Sequence, residues 1–175
     1  MLIRRATPGD VTALATVHVR SWQAAYRGLM PDEVLDGLSV ERRAVMWRAI
    51  IKSGLPGHVV LVAQGDGDGR DGDALCGFAH VGPGRDADLG AETAELTSLY
   101  LLSEVWGRGA GRALMAAAVD AMRDAGYVSA VLWVLVTNER ARRFYEIAGW
   151  SCDGTEKSEL FGPATLTETR YGRPL

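Results

Sequence analysis

The pattern of apolar and polar positions divides the chain into elements by its changes of period. Residues 2–6 predict a short first strand. Thr7, Pro8 and Asp10 then supply a cap, a first helical position and a capping-box acid. Val11, Leu14, Ala15, His18, Trp22 and Ala25 follow at helical spacing, so a helix runs to about Tyr26 and stops at Gly28. Pro31 opens a short second helix. Residues 39–52 predict a third, with Val40, Ala44, Trp47 and Ile51 on one side. The period then switches to two over residues 58–64 and 74–81, which read as strands, and residues 92–102 read as a third strand of that group. Residues 107–111 are glycine-rich and precede a helix over 112–125 that Gly126 stops. Residues 128–136 have the most strand-like composition in the chain. Asn138 caps a further helix ending at Gly149, and residues 165–171 alternate as a last strand.

No repeat or interdomain linker interrupts this order, and 175 residues fit one domain, spanning 1–175. Helices come early, an antiparallel meander follows, and strand–helix–strand–helix closes the chain. That order predicts an α/β (α+β) domain with a mixed sheet and helices on both faces.

Composition changes the picture little. A net charge of −3 argues against a nucleic-acid partner and is compatible with a cationic small substrate. Cys76 and Cys152 show no metal-ligand spacing, which fits two reduced thiols and no structural metal. The aspartates of 65–73 invite a calcium reading, but counting from Asp66 the required places hold Arg70, Asp71 and Gly77, so a hairpin loop is expected instead. No leader and no apolar stretch of membrane-spanning length is evident, so a cytoplasmic protein without a membrane partner is expected. The sequence is compatible with a homodimer and does not specify the oligomeric state.

Strand, glycine-rich turn and helix form a phosphate-binding arrangement, because the first-turn N–H groups are unpaired and the helix dipole favours an anion. No Gly-Lys-Ser/Thr follows Gly107, which excludes a Walker A loop. The dinucleotide fingerprint fails as well, since its last glycine place holds Arg112 or Leu114.

The flanking residues narrow the choice. Glu95-Leu96-Thr97-Ser98-Leu99-Tyr100-Leu101, followed by Trp106-Gly107-Arg108-Gly109-Ala110-Gly111-Arg112, resembles the signature of the GNAT acetyltransferase superfamily. Leu132-Trp133-Val134-Leu135-Val136-Thr137-Asn138 and Arg142-Arg143-Phe144-Tyr145 resemble its later motif. The resemblance implies a mostly antiparallel central sheet that splays between its fourth and fifth strands, and acetyl-CoA as cosubstrate with no metal. It implies that Trp106, Gly107, Arg108, Gly109, Ala110, Gly111 and Arg112 hold the CoA pyrophosphate. The strand backbone at Leu99, Tyr100 and Leu101 would pair with the pantetheine arm, an N–H near Leu101 would hold the developing oxyanion, and Asn138, Arg142 and Tyr145 would meet the CoA arm. Trp106 departs from the family's Gln or Arg at that place, which removes a polar contact and leaves the backbone amides.

Glu95, eleven residues before Trp106, stands where some members of the family place a catalytic base. A strand carboxylate paired with an arginine is the competing reading. His80, Glu92 and a water relay are alternative bases. Tyr145 is the expected general acid for the leaving thiolate. The phrase from Trp22 to Pro31 resembles a subgroup that includes polyamine acetyltransferases. These features imply an enzyme acetylating a primary amine, either of a small molecule or of a protein. A non-catalytic acyl-CoA sensor is the alternative of another class.

Overall fold

A computed structural model describes residues 1–65, 74–162 and 164–175. Seven strands form one sheet in the order β1-β2-β3-β4-β5-β7-β6. They are β1 (Leu2–Arg5), β2 (Val59–Gln64), β3 (Leu75–Pro83), β4 (Thr93–Leu101), β5 (Ser129–Leu135), β6 (Ser151–Phe161) and β7 (Ala164–Pro174). The helices are α1 (Val11–Tyr26), α2 (Asp32–Asp36), α3 (Val40–Ser53), α4 (Ala110–Asp124) and α5 (Glu139–Ile147). The calcium-or-hairpin question at 66–73 lies outside the described residues.

Period-two patterning sorts β2 between two cores. Val59, Leu61 and Ala63 join Leu114, Ala118 and Met122 of α4 on one face. Val60 and Val62 join Leu14 of α1 and Trp47 of α3 on the other. The expected layering, helices on both faces of a mixed sheet, is therefore present. Residues 8–10 form a 3-10 turn ahead of α1. There the Asp10 carboxylate accepts from the Thr7 N–H (2.7 Å) and both Arg4 Nη atoms (2.8 Å each). The guanidinium of Arg4 holds Asp10 well below the usual carboxylate range.

All neighbouring strands are antiparallel except β4 and β5. A parallel pair needs a crossover, and α4 supplies it. The β4–β5 ladder covers only Thr93↔Ser129, Ala94↔Ala130 and Glu95↔Val131. β4 runs on to Leu101 and β5 to Leu135, so the sheet splays from Glu95 onward. A register shift between His80 and Val81 opposite β4 inserts Thr97 as an extra residue. Such a bulge re-aims the side chains that follow it.

One strand escapes the sequence pattern. β6 is exposed at most positions and pairs only with β7. An edge strand needs no apolar face, so its residues carry no alternation to read.

Candidate active site

The splay opens a cavity of about 510 Å³ between the diverging ends of β4 and β5. Leu96 is the first residue of β4 in its wall, one position beyond the last paired residue, Glu95. Past Glu95 no ladder joins β4 to β5, which leaves that edge of β4 available to an extended ligand.

The floor of the cavity is the start of α4. Gly109 (φ +88) is its N-cap and supplies no side chain to cap it. The helix begins two residues earlier than periodicity alone predicts, so Ala110, Gly111 and Arg112 form the first turn and present unpaired N–H groups. Gly107 (φ +74) and Gly109 both need left-handed backbone, which other residues adopt only at a cost of about 1–2 kcal/mol. Gly111 serves packing, since a Cβ there would lie 3.1 Å from Leu101 Cδ1 and 3.4 Å from Phe144 Cε2.

Of the residues expected to hold CoA, Leu99, Tyr100, Leu101, Trp106, Gly107, Gly109, Gly111, Arg112, Asn138 and Tyr145 all line this cavity. Arg108 and Ala110 are not in its wall. Arg142 does not line it either. Its guanidinium donates to the Tyr171 hydroxyl (3.2 Å) and the Val136 carbonyl (3.1 Å), tying α5 to β7 and to the residue that follows β5. Arg140, which the motif comparison overlooks, takes the place at the cavity wall. Its guanidinium lies 3.5 Å from the centre of the Trp106 ring. Trp106 Nε1 in turn donates to the Leu101 carbonyl at 3.0 Å. The tryptophan that replaces a polar residue thus anchors the loop to β4 and carries a cation beside it.

Asn138 accepts from the Ala141 N–H at 3.1 Å, as an N-cap does, and still lines the cavity. Tyr145 is half-buried between Phe144 and Tyr171, with ring centroids at 5.5 and 6.5 Å. Burial, and next the neighbouring Tyr100, push its phenol well above the ordinary range. Its hydroxyl makes no hydrogen bond among the described residues and is available to a ligand. Tyr100 shares a 2.9 Å hydrogen bond with Tyr26.

Glu95 sits at the apex of the splay, 1% exposed. The arginine of the competing reading is present: Arg85, at the start of the β3–β4 connection, clasps it, with Nε donating at 2.9 Å, Nη2 making a second contact, and the backbone N–H reaching Oε2 at 3.3 Å. Glu95 is not in the wall of the 510 Å³ cavity, whereas Arg85 lines a neighbouring one. His80 lies nearby with Nδ1 2.8 Å from Thr97 Oγ1. Burial, then His58 and Arg85, lower it to about 4, so it is neutral at working pH.

The acetyltransferase (GNAT) family model matches residues 20–150. The chain belongs to that family. It is 34% identical over 136 residues to the uncharacterized N-acetyltransferase YuaI of Bacillus subtilis, covering 78% of this chain and 72% of that protein. Over 152 residues it is 34% identical to the uncharacterized N-acetyltransferase Rv2669 of Mycobacterium tuberculosis, covering 86% and 89%. The PaiA N-acetyltransferase of Thermoplasma acidophilum, solved in complex with coenzyme A, superposes with a TM-score of 0.78 over 99% of this chain and 98% of that one, at 23% identity. At that identity the likeness is one of fold. Family membership makes the chain an acetyl-CoA-dependent N-acetyltransferase.

The glycine loop yields a direct test. Gly109→Glu should weaken CoA binding at least tenfold, because it forces a left-handed non-glycine and sets a carboxylate against the pyrophosphate. No atom lies within 4 Å of the added Cβ, so the fold itself is spared a clash. Calorimetric titration of the folded variant with CoA reads the effect; an unchanged affinity would remove the loop from the donor site.

Proposed function

We propose that the protein moves the acetyl group of acetyl-CoA to a primary amine of a small molecule, by direct transfer in a ternary complex. The observation that carries this reading is the meeting of two cavities across β4. The donor cavity and a second one of about 410 Å³ share Thr97, Ser98 and Tyr100 in their walls. A thioester laid along β4 from the donor side would face an amine entering from the other. The second volume is that of a small-molecule pocket.

In this scheme the α4 N-terminus, Arg112 and Arg140 hold the CoA phosphates. The pantetheine arm pairs with β4, and a main-chain N–H near Leu101 steadies the oxyanion. The amine nitrogen attacks the thioester carbonyl carbon, the C–S bond breaks, and the amine proton leaves through Glu95 or a water held by it. Tyr145 donates a hydrogen bond to the departing sulfur. Neither cysteine lines the donor cavity, which favours direct transfer over an acyl-cysteine intermediate.

The test is thiol release from acetyl-CoA in the presence of a panel of amines, with the acetylated product identified by mass. Stoichiometric release with at least one small amine is expected. Tight CoA binding with no release for any amine or peptide would assign the fold to a sensor.

A further inference from the structure

The second cavity lies between α1, α3 and the β3–β4 pair, and its wall has a one-sided chemistry. His18 and Trp22 of α1, Arg43 and Trp47 of α3, and His80 and Tyr100 of the sheet all face it. No Asp or Glu is in that wall among the described residues. Arg85 is there too, but Glu95 behind it answers its charge. Arg43 has no such partner. It is half-buried, its guanidinium is 5.1 Å from the centre of the Trp22 ring, and among the described residues its one hydrogen-bond contact is from Nη1 to Met46 Sδ, at 3.9 Å. No carboxylate among the described residues pairs with it.

His18 supplies an independent observation. It is 4% exposed, and its Nδ1 accepts from Trp47 Nε1 at 3.1 Å. Burial, and next the charge of Arg43, lower it to about 3, so the ring is neutral. With Nδ1 accepting, the single ring proton resides on Nε2. That Nε2 is buried and has no hydrogen-bond partner. A buried donor left unpaired is costly, and a native protein keeps one where a ligand or a water completes it.

An uncompensated guanidinium and a histidine whose buried N–H is unpaired are therefore both in the wall of one small pocket that shares Thr97, Ser98 and Tyr100 with the donor cavity. We propose that this pocket seats a carboxylate of the acceptor, so that the substrate class is a primary amine that also carries a carboxylate. The amine end points to the shared wall of Thr97, Ser98 and Tyr100, and the carboxylate end meets Arg43 with His18 as a neutral donor. A polyamine is disfavoured, because its second ammonium would lie against Arg43 with no acid in the wall to compensate. The amine end rests on the acetyl-transfer reading; the anion seat rests on the pocket alone.

The experiment is calorimetric titration of the CoA-loaded protein with amino carboxylates of graded length (glycine, β-alanine, aminobutyrate, aminohexanoate) and with phenylalanine. Their carboxamides and diamines of matched length serve as controls, and acetyl-CoA turnover is measured on the same compounds. At least one amino carboxylate should bind at least tenfold more tightly than its carboxamide and its diamine. Arg43→Gln should erase that preference, leave the carboxamide's affinity where it was and keep CoA affinity at the parent value, while Arg43→Lys restores part of it. Diamines binding as tightly as amino carboxylates would overturn the proposal. So would equal losses for carboxylate and carboxamide in Arg43→Gln, or no binding of any amino carboxylate. If Arg43→Gln does not fold, the carboxylate-to-carboxamide ratio of the parent and of Arg43→Lys decides. CoA affinity is read first in each titration, so failure of the donor site is distinguished from failure of the anion seat.

Discussion

Glu95→Gln should lower turnover by roughly 10²-fold while CoA affinity stays at the parent value. A primary amine titrates near ~10.4 and reaches the enzyme protonated at neutral pH, so a proton must leave before nitrogen can attack. Glu95 is buried at the apex of the splay, and its partner Arg85 lines the second cavity. Direct contact with the amine would require that clasp to open. A water beside the exposed guanidinium of Arg85 offers a shorter route, with Glu95 as the final acceptor. The amide variant keeps the shape and one hydrogen bond to Arg85 but cannot take a proton. Loss of the charge-assisted bond costs about 1.5–3 kcal/mol in a buried setting. The cost here should fall at or below the low end, because the Arg85 side chain is 68% exposed and water re-solvates it. The decisive readout is the pH–rate profile with one accepted amine. The deficit should shrink as pH rises, since more of the amine arrives deprotonated. A profile that overlays the parent's at every pH would leave Glu95 with only the task of holding Arg85.

Tyr145→Phe should slow turnover about 10- to 100-fold with little change in CoA affinity, and the deficit should be the same at every pH. The reasoning turns on magnitudes. A thiol titrates near ~8.5, far below a phenol that burial and Tyr100 have pushed up. Such a phenol does not give up its proton before the C–S bond breaks. It does remain protonated throughout the working range, so it can donate a hydrogen bond as charge grows on sulfur. One hydrogen bond to a charged group is worth about 1.5–3 kcal/mol, which is one to two decades in rate. The two variants thus separate by shape: Glu95→Gln recovers in base and Tyr145→Phe does not. Parent-like turnover in Tyr145→Phe would assign the leaving group's partner to water.

Much of this architecture was legible in the periodicity, because burial on one or both faces imposes a period of two or 3.6. The β2 alternation and the α3 stripe of Val40, Ala44, Trp47 and Ile51 arise that way. The glycine loop was legible for a different reason: left-handed backbone at Gly107 and Gly109 demands glycine. Asn138 was legible as a cap because its short side chain reaches the next turn's N–H. Strand β6 was not, since an exposed edge strand selects no pattern.

Read along the chain, the residues specify the order of every strand but β6, the glycine loop that opens α4, and the family signature around it. Which side chains face the cavity is settled by packing between distant segments. Arg140 and Arg142 are two residues apart on α5, about 200° around a helix, so they point to opposite sides. The motif does not tell which side meets β4. Glu95 and Arg85 are ten positions apart and meet across the turn between β3 and β4. The second cavity draws His18, Arg43, His80 and Tyr100 from four elements, and no local spacing records their meeting. Local pattern reports how a segment lies on its neighbours. The chemistry of a site depends on which distant segments those neighbours are, and that is set by strand order and helix packing.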